Sequence, residues 1–548
     1  MKTNKIIALS FAVLALASCN KYLDMTPSDR VSEKTIWAET ETAEYSINYL
    51  WSYIWDLNAS PTVIGLTEAL TDEMKYTSYN YNALCYIPSE MSYGGSVLTT
   101  TYVDSYMGCW GTLYTAIRRV NADLSYLHAY GQMSEADKTR LEGELRFLRA
   151  YFYFELVKRY KDVIIYDEDL TAINKNKEID TESEAWDFVR KDLEYACDAL
   201  PAASSAKGRI NKGMAYALTT RAMLYAKRYD AVVTAAAEVA GLGYSLEPQY
   251  ADAFGKSLAE GNREAILQYT FDLANGITHS FNFYYTPGGD YTLISATGGG
   301  YGVPTQEMVE SYEYATGGKP DWSAWHSSSS QNPPYELLEP RFKATILYNG
   351  AAWKGRTIEP YVGGTDGWAT WKTDKEPKGK TVTGYYLRKL VDESYDVNTS
   401  GSSQPFIFLR YAEVLLNLAE ACYFTGDEPG ANAAVKQIRS RVGLPSTEKS
   451  GEDLLELIKQ ERKVELAYEG LRYWDLRRWG DATKDYPEGL NNYQQHGLKI
   501  EKSGSAFTYT YVSVDEKDRN YPEKMNRFPM PESELNSNNL VSQYPEWK

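Results

Sequence analysis

The segment at 136–160, ADKTRLEGELRFLRAYFYFELVKRY, constrains the fold more than any other stretch of the 548-residue chain. Leu141, Leu145, Leu148, Phe152 and Leu156 recur at steps of four, three, four and four. That period lines them along one face of an α-helix, a stripe that neighbouring helices must cover. Comparable spacing predicts helices from Thr40 to Trp55, from Cys109 to Tyr130, and near 182–200, 212–228, 229–241, 408–425, 428–442 and 452–470.

Two of these stretches are alike: GMAYALTTRAMLYAKRYDAVVTAAAEV at 213–239 and LRYAEVLLNLAEACYFTGDEPGANAAVKQI at 409–438. Each gives a helix, a short turn and a second Ala-rich helix, and alanine lets antiparallel helices approach closely. The pattern resembles the tetratricopeptide repeat (TPR), with irregular spacing. Between the helical blocks, 71–106 and 272–404 are rich in Gly, Ser, Tyr and Trp and show little helical period. FNFYYTPGGDYTLISATGGGYGVP at 281–304 reads as loop and short hairpin. The expected fold class is mainly α: a TPR-like helical scaffold carrying long, aromatic-rich loop insertions with short hairpins.

The amino terminus carries a different signal. Lys2 and Lys5 precede an apolar run from Ile6 to Ala17, which has signal-peptide length and is short of the roughly 20 residues that span a bilayer. It ends Leu16-Ala17-Ser18-Cys19, the small-residue pattern of a bacterial lipobox. The expectation is a leader at 1–18, lipidation of Cys19 and a polar tether at 19–35. The expected body divides into an N-terminal helical region at 36–270 and a C-terminal region with the ligand-face loops at 271–548.

Charge excludes one class of partner. Against 57 basic residues stand 74 acidic ones, a net −17, so nucleic acid is repelled. The 47 tyrosines and 13 tryptophans outnumber the 15 phenylalanines, a bias toward rings with a polar handle. Such rings stack on the C–H face of a sugar while a neighbouring polar atom takes a hydroxyl. Candidate ligand contacts are the loop aromatics Tyr76, Tyr79, Tyr81, Tyr93, Tyr291, Trp322, Trp325, Trp353, Trp368 and Trp371, with Tyr86 beside them and Asp72, Glu73 and Asn80 interleaved.

No catalytic constellation emerges. Glu461, Glu465 and Glu469 are spaced four apart among Arg462, Arg472, Arg477 and Arg478, which suits a structural ion-pair network better than a proton donor. The glycines at 298–302 fail the dinucleotide pattern, PKGKT at 377–381 lacks the first P-loop glycine, and HExxH, CxxC and GxSxG are absent. Cys197 and Cys422 read as buried small residues, and a Cys85–Cys109 disulfide stays open.

Several motifs in order resemble the SusD/RagB-like nutrient-binding outer-membrane lipoproteins: Cys19 with NKYLDMTPSD, WGTLYTAIRRVN, GELRFLRAYFYFELVKRYKDV, GGGYGVPTQEMVESYE, EPRFKATILYNG, FLRYAEVLLNLAEA, ERKVELAYEGLRYWDLRRWG and RFPMPESELNSNN. The resemblance implies four TPR-like helix pairs, display on the outer leaflet of an outer membrane, and a SusC-like TonB-dependent transporter as partner. It implies capture of an oligosaccharide or polysaccharide without catalysis. Peptide binding occurs among such proteins, as does a structural calcium ion; no other cofactor is implied. A glycoside hydrolase, with two inward carboxylates about 5–10 Å apart, and a TPR scaffold without a small ligand are the other readings.

Overall fold

The computed structural model describes residues 32–58, 66–77, 88, 90–169, 176–203, 208–371, 379–399 and 401–548, with the side chains of 55–58 excepted. Cys19, Tyr79, Tyr81, Cys85 and Tyr86 lie outside the described residues.

The helical scaffold follows the periodicity. Its helices are α1 (Thr40–Asn58), α2 (Trp110–Tyr130), α3 (Glu135–Tyr160), α4 (Glu182–Ala199), α5 (Lys212–Tyr225), α6 (Tyr229–Gly241), α7 (Tyr411–Thr425), α8 (Glu428–Arg441), α9 (Gly451–Glu465) and α10 (Arg472–Trp479). Their starts are capped as the sequence allows. Ser134 accepts from the Asp137 amide, Thr181 and Glu184 form a reciprocal capping box, and Asn211 accepts from the Met214 amide. Gly426 and Gly480 end α7 and α10 in left-handed conformation.

The stripe on α3 is fully buried, and from Leu141 onward most of the helix is enclosed on every side. Helix α3 packs between α2 and α4. The hairpins α5–α6 and α7–α8 stack through α6 on α7, with Ala215, Ala222, Ala235, Ala412, Ala421 and Ala434 buried at the crossings. The scaffold is therefore mainly α and TPR-like.

Two boundaries differ from expectation. Helix α7 begins at Tyr411 because Phe406–Arg410 is a strand, paired antiparallel with Ala265–Tyr269; alternation in Phe-Ile-Phe-Leu buries Ile407 and Leu409. The expected helix at 452–470 ends at Glu465, and Tyr468 and Gly470 take positive φ before α10 begins. Glu469 consequently leaves the helical face shared by Glu461 and Glu465.

The loop insertions build a second hydrophobic core of their own. Short strands hold it: Met74–Tyr76 pairs with Gly302–Pro304, and the hairpin His496–Ser503/Ala506–Ser513 takes Ser328–Ser329 at its edge. Among the described residues no helix is long and apolar enough to cross a membrane.

Candidate ligand-binding site

The loop half places most of the expected ring contacts inside its core. Trp353 is 1% exposed, and its indole N–H donates to the Asp290 carboxylate at 3.0 Å. Trp322 and Trp325 meet edge to face at 5.6 Å and pack toward Tyr335 and Phe342, the Trp325 indole donating to the Gln331 carbonyl. The buried Trp371 ring lies 3.9 Å under the Lys75 ammonium, itself bridged to Asp515 at 2.6 Å. Tyr93 is buried and accepts from the Glu516 amide, and Tyr76 is buried in the strand paired with Gly302. Tyr291 packs inward against Gly298, where a Cβ would meet its ring. The faces of these rings meet protein. Of the expected set, Trp368 alone among the described residues is half-buried rather than buried.

The acidic residues expected beside the rings are also engaged. Asp72 pairs with Lys463 at 2.7 Å and Arg472 at 2.9 Å. Burial raises its pKa, but these two cations outweigh burial and hold the carboxyl below the usual range. Burial pushes the Glu73 carboxyl up, although its hydrogen bond with Glu68 and the nearby Arg472 act the other way.

Among the described Phe, Tyr and Trp side chains of 272–404, Phe283 is the exposed one, and it belongs to a platform carried by the 281–301 loop. Phe281–Tyr285 forms one helical turn in which Phe281 and Tyr285, four apart, point inward and Phe283 is 37% exposed. The Phe283 ring lies 5.3 Å from Tyr284, and 5.9 Å from both Tyr291 and Tyr301; Tyr284 is half-buried. Leu293 and Ile294 are exposed farther along the same loop.

Ionic and backbone contacts fix this loop. Arg356 donates to Asp290 at 2.6 Å and to Asp366 at 2.7 and 2.8 Å, while Asp366 also accepts from the Gly289 and Glu359 amides. At Gly288 an added Cβ would fall 1.6 Å from the Gly379 carbonyl oxygen, so only glycine allows the two strands of chain to touch. Phe283 and Tyr284 were missing from the expected contacts, although the i,i+4 pair Phe281/Tyr285 marks the ring between them as outward.

The surroundings suit stacking rather than proton transfer. Asp290 and Asp366 are both held by Arg356, and the carboxylates near α9 form a buried network. Glu465 bridges Arg410 at 2.7 Å and Arg341 at 3.3 Å and also pairs with Arg441, while Glu469 pairs with Arg410 and Lys389, each at 2.6 Å. Burial raises the Glu465 pKa, but Arg441, Arg410 and Arg341 together hold it well below the carboxylate range. Among the described residues no group of three or more His, Cys, Asp or Glu side chains could hold a metal ion. Cys109, Cys197 and Cys422 are buried free thiols.

Comparison with known proteins places this architecture. Residues 263–547 match the model described as the SusD family, and residues 21–224 match one described as starch-binding associating with outer membrane. A SusD-like protein of Bacteroides ovatus is 23% identical, the match covering 100% of this chain and 98% of that protein. Among solved structures, a SusD-like protein from Bacteroides fragilis is 30% identical with a TM-score of 0.79, covering 95% of this chain and 100% of that one. A SusD-like carbohydrate binding protein, also from Bacteroides fragilis, is 23% identical with a TM-score of 0.75, covering 93% and 100%.

Proposed function

Since the chain belongs to the SusD family, we propose that it is a non-catalytic, surface-displayed lipoprotein that captures a glycan on its loop face and passes it to a SusC-like TonB-dependent transporter. In this reading residues 1–18 are removed, Cys19 is lipidated, and 19–35 tether the body to the outer membrane. The observation that carries the reading is the platform at Phe283: an exposed aromatic ring, flanked by Tyr284, Tyr291 and Tyr301, and held on a loop fixed by Arg356. Tyr284 and Trp368, both half-buried, are the further ring contacts. Support also comes from the names of the matched family model, starch-binding, and of the solved carbohydrate-binding relative. An exposed ring cluster of this kind binds weakly, which suits release to a transporter.

Titration of the purified full-length protein with neutral oligosaccharides, alongside an assay for released reducing ends, tests the proposal. Binding without hydrolysis is expected, and reducing-sugar release would replace the reading with a hydrolase. Cys19→Ala should free the protein from the membrane fraction; its retention there would remove the lipid anchor.

A further inference from the structure

A groove of about 790 Å³ lies between the end of α3, the start of α4, the α5–α6 turn and α10. Two hollows of about 220 and 360 Å³ continue it past Trp479. In a chain of net charge −17, this groove is lined by six cationic side chains and two carboxylates.

The cations are under-compensated. Arg478 is saturated by Glu420 at 2.7 Å and Asp475 at 2.8 Å, and Arg228 takes Asp187 at 2.6 Å. Arg477 has no carboxylate among the described residues: it donates to the Tyr521 hydroxyl and the Asn526 carbonyl, both at 3.1 Å, with its guanidinium near the Trp474 and Phe528 rings. Lys158 has only Glu155, which Arg159 shares. Burial pushes the Lys158 ammonium down to about 7; Glu155 opposes that, and Arg159 adds to it. At the rim, Lys161 reaches Glu182 only at 4.0 Å, and the exposed Lys227 has no ion pair among the described residues. Of the two lining carboxylates, Asp162 is already taken by Arg527 at 2.9 Å.

Lys161 and Lys227 sit at φ +63° and +56° where α3 and α5 end, which sets both side chains at the groove rim. The groove walls bear on the ligand type. Trp186 and Trp474 are only 5% and 4% exposed, and the half-buried Trp479 is the lining tryptophan that a ligand can reach. Cationic heads around one accessible ring suit a hydrophilic polyanion.

We propose that this groove is a second binding site, specific for acidic oligosaccharides bearing uronate carboxylates or sulfate esters. The saccharide part of the assignment rests on the glycan reading above; the anion selectivity rests on the groove alone.

Isothermal titration of the full-length protein at low salt tests it, with an oligogalacturonate, a sulfated galactan oligomer, a neutral malto-oligosaccharide, hexaglutamate and inorganic sulfate as probes. Lys161→Glu/Lys227→Glu should weaken the acidic saccharides by about tenfold or more without moving the melting temperature, and Lys161→Arg/Lys227→Arg should restore them. The same charge reversal should leave the affinity for the neutral malto-oligosaccharide unchanged, which separates failure of this site from failure of the loop face. The proposal is overturned if neither acidic saccharide binds, or if charge reversal leaves their affinity intact. Hexaglutamate binding as tightly would assign the groove to acidic peptides instead, and equal competition by inorganic sulfate would reduce it to a general anion site.

Discussion

Phe152 on α3 and Trp353 in the loop half are both fully buried, yet only the first is announced by a repeating pattern. The helical scaffold buries its rings at fixed intervals because an α-helix returns to the same face every three or four residues. The loop half buries its rings wherever two loops close over one another, and nothing periodic records that. The same Tyr and Trp composition thus yields a core in one place and a platform in another, and the difference is decided by long-range contacts such as Arg356 with Asp290 and Asp366.

Substitutions can break or sharpen this contrast. The largest effect is expected at Trp353→Ala, which deletes a buried ring and removes one donor from Asp290; a loss of about 5 kcal/mol should appear in denaturant unfolding. A loss below about 1 kcal/mol would mean that the loop half has no core of this kind. Next, Glu465→Gln should cost about 3 kcal/mol, because it leaves Arg341, Arg410 and Arg441 under-compensated in the interior.

The same network fixes a pH dependence. The folded pKa of Glu465 lies below its unfolded value of about 4.3, so its contribution is fully present above that value and is lost as pH falls through it toward the folded pKa. Asp72 and Asp515 are depressed likewise, despite burial, by Arg472 with Lys463 and by Arg519 with Lys75. Stability should therefore drop steeply below about pH 4, and Glu465→Gln should flatten the drop.

Phe283→Ala should do the reverse of Trp353→Ala, lowering glycan affinity by about 1 to 2 kcal/mol with little change in stability. The smallest effect is expected at Tyr45→Ala on the exposed side of α1, within about 0.5 kcal/mol and silent in binding, since this 63% exposed ring belongs to neither core nor platform.

The scaffold was legible almost to its boundaries, from the α3 stripe to the alanine crossings of α5–α6 and α7–α8. Where a helix was expected to run on, at 408–410 and 466–470, the chain turned at residues whose conformation depends on distant partners: Arg410 reaches Glu264, and the Tyr468 hydroxyl donates to the Glu73 carbonyl. The ion-pair reading of Glu461, Glu465 and Glu469 holds, but the neighbouring Arg462, Arg472, Arg477 and Arg478 are not their partners among the described residues: Arg341, Arg410, Arg439, Arg441 and Lys389, from elsewhere in the chain, pair with them instead. The ligand face was less legible. Trp322, Trp325, Trp353 and Trp371 resemble Trp368 in their Gly-rich context, and no local feature separates a ring that fills a loop core from one that leaves it. The exposed Phe283 carried a local signal in FNFYY, whereas the groove at Arg477 draws residues from segments more than 300 positions apart.

Affinity electrophoresis of the full-length protein through gels containing a panel of polysaccharides, with Phe283→Ala/Trp368→Ala run beside the unaltered chain, addresses the central claim most directly. Retardation of the unaltered chain by at least one polymer, relieved in the double variant while its melting temperature holds, is the predicted result. Uniform mobility across the panel, or equal retardation of both proteins, would contradict a glycan platform at this face.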